Sequence, residues 1–271
     1  MKAPADIRSL YMPVQPTVRT KTEGVTYTEW PPCKPLQPFI YCYWELKTLQ
    51  PLANPFTYRV VTDGCMDIFF ERSRPQESYV MGFCKKYTEF LLDPSFHYLG
   101  VRFLPTMFPQ FFNINAKELS NRFEHLASVT PETAGFVATH FSAGLDMQQV
   151  KDLFDDYFLK LLAAVEWNTD NRLYEAIQII LKNQGMVNVE KDLDTGISPR
   201  QLRRLFEFYI GDTAKTFSKV VRFQHILRAK PSTQSLRENK IFFDAGYYDQ
   251  AHFIKEFKAL YGVTPARAFG R

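Results

Sequence analysis

The chain has 271 residues, 45% of them hydrophobic and 23% charged, with a formal net charge of +4. That length suits two domains better than one, and that apolar content excludes a disordered chain. No apolar run approaches the roughly 18 residues a membrane helix needs, and the start, MKAPADIRSL, holds no apolar signal segment, so a cytoplasmic protein is expected.

Residues 1–24 contain several prolines and little periodicity, and read as an arm. From Val25 to Phe103 come short runs rich in aromatic and β-branched residues: VTYTEW, FIYCYWEL, FTYRVV, CMDIFFE, YVMGF and HYLGVRF. Pro, Gly, Asp and Asn separate them, so they read as strands. FIYCYWEL is also compatible with a helix. Asp63-Gly64 reads as a hairpin turn between its two flanking strands. Short strands at this spacing predict a small antiparallel barrel or sandwich. Its aromatics include Trp44, Tyr58, Phe69, Phe70 and Tyr98, and alternation sends about half of them inward. Arg59 and Arg102, with Tyr58 and Trp44, are the candidate ligand-binding residues, the two arginines serving an anionic ligand. Leu99, Val101 and Phe103 share one face of their strand, which would turn Arg102 to solvent.

After Pro105 the pattern turns helical. MFPQFFNI suggests one or two turns, and AKELSNRFEHLASV reads as an amphipathic helix. TPETAGFVATHF opens with Thr130 before Pro131, a cap followed by a proline start. From Asp146, the residues Val150, Leu153, Phe154, Tyr157, Phe158, Leu161, Leu162 and Val165 recur at helical spacing. This stripe suits either a second copy of the chain or the strands before it. Trp167 to Asp170 reads as a linker. The expected organisation is therefore a β-rich sensor domain over 1–115, a helical dimerisation region over 116–168 and a third unit over 171–271.

The charge is unevenly spread. Residues 171–271 hold 17 lysines and arginines against 10 acids, a net of +7, whereas residues 1–170 hold 16 against 19, a net of −3. A basic final third suits nucleic acid. Cys33, Cys42, Cys65 and Cys84 fit neither a Cys-x-x-Cys pair nor a tight metal signature, so free thiols and no metal are expected.

That final third carries the sharpest pattern. In SPRQLRRLFEFYIG, Ser198 is an N-cap and Pro199 sits at the first helical position. Leu202, Leu205 and Phe206 define a buried face, while Arg200, Gln201, Arg203 and Arg204 crowd the other. Gly196 supplies a tight turn before this helix and Gly211 ends it. A longer helix follows from about Thr213 to Arg228. The arrangement then recurs: Gly246 is a turn, Asp249 an N-cap, and Phe253, Phe257 and Leu260 the apolar stripe of a helix over 250–261, stopped by Gly262. Gln250, Ala251, Ile254 and Lys255 occupy its outer face. Arginine reads guanine, and glutamine adenine, through two parallel hydrogen bonds in a major groove. Lys215, Lys219 and Arg222 on the connecting helix suit phosphate contacts or plain surface charge.

On GISPRQLRRLF, VVRFQHILRA and GYYDQAHFIKEFKALYGVTP, the segment from about Asn171 to Arg271 resembles the DNA-binding domain of the AraC/XylS family of bacterial transcription regulators. The resemblance implies two helix-turn-helix units joined by one long helix, with Arg200, Arg203 and Arg204 of the first and Gln250, Ala251, Ile254 and Lys255 of the second in successive major grooves. NVEKDLDT departs from the family, with Lys191 and Asp192 near places usually apolar, and Phe242 and Phe243 are bulky for the helix before the second turn. The order WPPC, PFIYCYWEL, VVTDGCMDIFF, LGVRFLP, KELSNRFEHL resembles the cupin-like N-terminal domain of a subset of these regulators, though Pro105-Thr106-Met107 stands where a glycine pair is frequent.

The fold class implied is α+β in two domains, an antiparallel cupin-like β-barrel with helices after it and then an all-α domain. Double-stranded DNA, a second copy of the chain, a small-molecule effector and RNA polymerase are the implied partners, with no membrane and no cofactor. An effector-independent regulator whose front part only dimerises is the alternative. A cupin metalloenzyme would need two or three histidines inside the strands; of His97, His125 and His140, only His97 falls on a predicted strand. A methyl-accepting repair protein would need a paired-cysteine zinc site, which is absent.

Overall fold

A computed structural model describes residues 6–16, 24–167, 170–229 and 246–269. The expected strands form as β1 (Val25–Trp30), β2 (Ile40–Thr48), β3 (Phe56–Val60), β4 (Met66–Glu71), β5 (Ser78–Met81), β6 (Thr88–Leu92) and β7 (His97–Phe103), with a further β8 (Phe123–His125). FIYCYWEL lies in β2 and is a strand. All pairings are antiparallel. They build a six-stranded sheet in the order β1-β2-β7-β4-β5-β8 and a separate two-stranded sheet of β3 and β6. The antiparallel β-rich front part is thus as expected, but its described strands do not hydrogen-bond into a closed barrel.

Asp63-Gly64 explains part of that difference. Gly64 turns at φ +72°, as a tight turn demands. Yet β3 pairs with β6 while β4 pairs with β5 and β7, so the turn hands the chain from one sheet to the other and makes no hairpin.

Both faces of the larger sheet are covered. Tyr43, Ile68, Phe70, Leu99, Val101 and Phe103 point to the helices and join one large core. Cys42, Trp44, Leu46 and Tyr98 point the other way, to a second cluster with Tyr58 and Leu92 of the smaller sheet. The alternation read from HYLGVRF holds, but the face opposite Leu99 is also buried, so Arg102 is only 2% exposed and does not meet solvent.

The helices that follow are α1 (Met107–Phe112), α2 (Leu126–Val129), α3 (Pro131–His140) and α4 (Met147–Ala164). The single amphipathic helix expected over 116–129 is instead a 3-10 turn (Ala116–Leu119), β8 and α2. Asn121 at φ +62° breaks it. Thr106 takes φ +75°, a left-handed backbone that glycine adopts freely and a β-branched residue resists, at the place where the resemblance led to expect a glycine pair. Asp146 and Gln149 close a capping box on α4. The α4 stripe packs within the chain: Phe154 stacks on Tyr43 at 4.9 Å, Phe158 meets Phe103 edge-on at 5.5 Å, and buried Asp155 accepts from the Cys33 N–H and the Tyr43 hydroxyl. Trp167 is no exposed linker residue, since it is buried and stacks on Phe39 at 4.9 Å; Asn168 and Thr169 lie outside the described residues.

The all-α part comprises α5 (Asn171–Lys182), α6 (Val189–Asp192), α7 (Pro199–Tyr209), α8 (Ala214–Ala229), α9 (Gln250–Tyr261) and α10 (Pro265–Phe269). NVEKDLDT, with its atypical Lys191 and Asp192, yields only the short α6, which buries nothing. The helix before the second turn, with Phe242 and Phe243, lies outside the described residues. The large core runs on unbroken from the sheet into α5, α7, α8 and α9.

The seam between the two parts is polar as well as apolar. Residues 7–15, expected as part of an arm, are wedged into it, with Ile7, Tyr11, Val14 and Gln15 all buried. Gln224 on α8 accepts from the Val14 N–H at 2.6 Å and donates to the Thr62 carbonyl at 2.7 Å. Gln15 donates to Val61 O and to Asp63. The N–H groups of Thr62 and Tyr87 donate to the carbonyls of Leu260 and Ala259, at 3.4 and 3.3 Å. A helix's last carbonyls lack partners within the helix, so Thr62, just beyond β3, and Tyr87, just before β6, help to cap α9.

Candidate nucleic-acid interface

The two helices expected to read DNA are separately capped and separately presented. On α7, the Ser198 hydroxyl accepts from the Gln201 N–H at 3.3 Å, and Gln201 Oε1 accepts from the Ser198 N–H at 3.2 Å. Leu202 and Phe206 are buried, whereas Arg200, Gln201, Arg203 and Arg204 are exposed. Gln201 therefore already spends its acceptor oxygen on the cap and keeps its amide donors. Arg203 donates to Glu207 at 2.9 Å, and Glu207 also holds Lys117 at 2.8 Å. These two partners hold the Glu207 carboxyl below its usual range. Among the described residues, Arg200 and Arg204 have no such partner.

On α9, Asp249 accepts from the His252 N–H at 2.7 Å. Phe253, Phe257 and Leu260 are buried, and Gln250, Ala251, Ile254 and Lys255 are exposed. The glycines that frame the units, Gly196, Gly211, Gly246 and Gly262, all take φ between +71° and +104°. All eight candidate DNA-contact residues thus lie on outward faces of capped helices.

What ties the units together was not legible. Lys219 and Arg222 face α9, where Glu256 accepts from Arg222 at 2.9 Å, from the Tyr247 hydroxyl at 2.7 Å and pairs with Lys219 at 3.2 Å. Burial pushes the Glu256 carboxyl up, but Tyr247, Arg222 and Lys219 outweigh it and hold it below the ordinary glutamate range. Lys215 stays exposed. A glutamate within the predicted helix, four residues before the stripe's end at Leu260, was the only available signal.

The candidate ligand residues separate. Trp44, Tyr58 and Arg102 line a small space between the two sheets, of about 70 Å³ and partly open to solvent. Arg59 is not on its wall. It pairs with Glu89 at 2.6 Å, lies over the Tyr87 ring and packs against Gly262 after α9. Arg102 donates to both carboxylate oxygens of Asp67, at 3.1 and 2.8 Å.

His97 lies in β7 and meets Glu45 at 2.6 Å, while His125 lies in β8, where no strand was expected. Among the described residues no three His, Cys, Asp or Glu side chains gather into a metal site, and no helix is long and apolar enough to cross a membrane. The four cysteines are free, and burial raises the pKa of Cys42, Cys65 and Cys84.

Residues 28–125 match a domain of unknown function (DUF6597), and residues 194–271 match a helix-turn-helix domain. No curated protein matches the chain. Solved structures of ToxT from Vibrio cholerae are similar over most of it. One crystal form is 11% identical, covers 92% of this chain and 98% of that one, and has a TM-score of 0.45. A form bound to an unsaturated fatty acid is 12% identical over 93% and 97%, with a TM-score of 0.44. A third is 13% identical over 81% and 94%, with a TM-score of 0.43.

Proposed function

We propose, from a C-terminal helix-turn-helix domain of the AraC type, that the chain is a sequence-specific DNA-binding transcription regulator. The observation that carries this reading is the pairing of two capped helices, each burying one apolar stripe and turning outward side chains able to read base edges. Arg200 and Arg204 of α7 and Gln250 and Lys255 of α9 are the readers. Ala251 and Ile254 supply apolar contact to thymine methyl groups. Arg203, tied to Glu207, and Gln201, tied to its cap, hold the orientation of α7 and contact DNA with the donors left to them. The basic balance of 171–271 adds phosphate affinity that is independent of sequence.

The front part is the sensor in this reading. The space between its sheets receives a small-molecule effector, and the seam along Thr62, Gln224 and α9 carries the response to the DNA-binding part. Such a regulator works in the cytoplasm and acts on RNA polymerase. A dimer belongs to the reading, but Val150, Phe154 and Phe158 of the α4 stripe are buried within the chain, so pairing must use another surface or the stripe's half-buried members, Leu153 and Leu161 among them.

The test is selection of the purified full chain against duplex DNA with a randomised stretch, followed by sequencing. Enrichment of a site with two elements about 10 base pairs apart, one helical turn, is expected. Retention of DNA with no enriched sequence would reduce the chain to a non-specific basic binder.

A further inference from the structure

Arg203, Glu207 and Lys117 form one chain of contacts, and its last member belongs to the front part. Arg203 and Glu207 lie one turn apart on α7, on the stripe that begins with Arg200. Arg203 Nε donates to Glu207 Oε1 at 2.9 Å, and Lys117 Nζ donates to Glu207 Oε2 at 2.8 Å. Each carboxylate oxygen thus serves a different cation. Lys117 and then Arg203 hold the carboxyl below its usual range, so it is ionised at neutral pH.

This one-sided grip leaves the end of Arg203 unspent. Its Nη1 and Nη2 have no partner among the described residues, and its side chain is 68% exposed. Those two nitrogens are a fork that fits the N7 and O6 of a guanine. An arginine beside a carboxylate frequently takes both oxygens through two parallel bonds. Here Lys117 holds the second oxygen and blocks that arrangement. Without the lysine, the carboxylate is free to turn and take Nε and Nη2 together, and one prong of the fork is then spent within the protein.

A docked segment delivers Lys117 to this point. The residue sits in the 3-10 turn Ala116–Leu119, whose Ala116 and Leu119 are buried. Asn115 caps the turn by accepting from the Lys117 N–H at 3.1 Å. The turn is pressed on the end of α7. Ser120 Oγ donates to the Gly211 carbonyl, and a Cβ on Gly211 would stand 2.6 Å from that hydroxyl oxygen and 3.2 Å from the Ala116 carbonyl oxygen. Lys85 of the front part pairs with Asp212 just beyond, at 2.6 Å. An exposed ion pair contributes little stability, and the turn is already held by these other contacts. What the Lys117 contact changes is the geometry of Arg203.

We propose that Lys117 of the front part is a positioning residue for base reading: by occupying one oxygen of Glu207 it keeps Arg203 held through Nε alone, with both terminal nitrogens presented to a guanine in the major groove. This rests on the DNA-reading role of α7 proposed above and adds to it a specificity determinant that lies outside the DNA-binding part. It also gives the front part a way to alter base preference without touching DNA.

The experiment uses the full chain, the duplex selected from randomised DNA and a set of duplexes that each carry one base-pair change. Affinities are measured by fluorescence anisotropy at one salt concentration. Arg203→Ala marks the position at which its loss removes discrimination. At that position Lys117→Met should lower the preference for the selected base pair by roughly two- to tenfold, the range for a long side chain no longer held in its binding geometry. Preference at the other positions should be unchanged, and Lys117→Arg should restore the loss. On a Glu207→Ala background, Lys117→Met should change nothing at that position. An equal loss on every duplex would make Lys117 a phosphate contact and overturn the proposal. Full discrimination in Lys117→Met, or no position marked by Arg203→Ala, would overturn it too. In each of these cases sequence selection by the wild-type chain leaves the regulator reading standing. No selected sequence at all removes that reading, and this proposal with it.

Discussion

Replacing Gln224 by leucine should uncouple the two parts of the chain. Gln224 is 1% exposed and lies in the seam. Its amide donates to Thr62 O at 2.7 Å and to Val14 O at 3.3 Å, and its oxygen accepts from the Val14 N–H at 2.6 Å. Leucine fills a similar volume and makes none of these bonds. The two short bonds contribute about 1 kcal/mol each, and a stranded buried N–H or carbonyl costs about 1–3 kcal/mol. Apolar burial of the leucine offsets part of this at about 25 cal/mol per Å². The net loss is about 2–4 kcal/mol. Urea unfolding followed by circular dichroism measures it, and the midpoint should fall with little change in slope. Gln224→Glu should be at least as damaging, because a carboxylate cannot donate to either carbonyl and brings a buried charge. A loss below about 0.5 kcal/mol for Gln224→Leu, within the usual range for surface changes, would refute the claim that this side chain bridges the seam.

Three further variants test named contacts. Glu256→Gln should cost about 1.5–3 kcal/mol, since it weakens charge-assisted bonds to Arg222, Lys219 and Tyr247; unchanged thermal stability would contradict this. Because the folded state depresses this carboxyl, its contribution is full above the unfolded value near 4.3 and is lost as pH falls through the lower folded value. The acid limb of the stability curve should therefore flatten in Glu256→Gln, and an identical limb in both proteins would contradict the linkage. Gly100→Ala should displace the Trp44 ring and cost about 1–3 kcal/mol by overpacking, visible as a lower melting temperature and altered tryptophan emission; wild-type behaviour in both would mean that the ring can yield. Removing residues 1–16 should strip Tyr11, Val14 and Gln15 from the seam and make the region between the two parts more sensitive to protease, which a digestion time course checks against the full chain.

Elements were legible where the signal is local. Ser198-Pro199 and Thr130-Pro131 mark helix starts because the cap and the proline after it are neighbours in the chain. HYLGVRF showed its alternation for the same reason. What covers each face was not legible, because the covering element lies far along the chain. Arg102 pointed away from Leu99 as read, but the smaller sheet buries that side too. Arg59 sits on a strand of the right character, yet it faces Glu89 and the end of α9 and lies off the cavity wall. Lys219 and Arg222 look like surface cations until Glu256, more than thirty residues on, is packed against them. Asp63-Gly64 has hairpin chemistry, and only the pairing of β3 with β6 shows that it joins two sheets. The segment 116–129 carries helical spacing that the left-handed Asn121 interrupts.

The most direct measurement concerns base reading by α7. Arg204 is exposed, lies on the outward face of a capped helix and has no ion-pair partner among the described residues. Affinities of the wild-type chain and of Arg204→Ala are to be measured by fluorescence anisotropy, at one fixed salt concentration, for the selected duplex and for a scrambled duplex of equal length. A bidentate arginine–guanine contact contributes about 1–3 kcal/mol of discrimination, or roughly 5- to 150-fold. The account predicts that the alanine variant loses that factor on the selected duplex and only the small, shared loss of one phosphate-attracting charge on the scrambled one. Equal loss on both duplexes would contradict it.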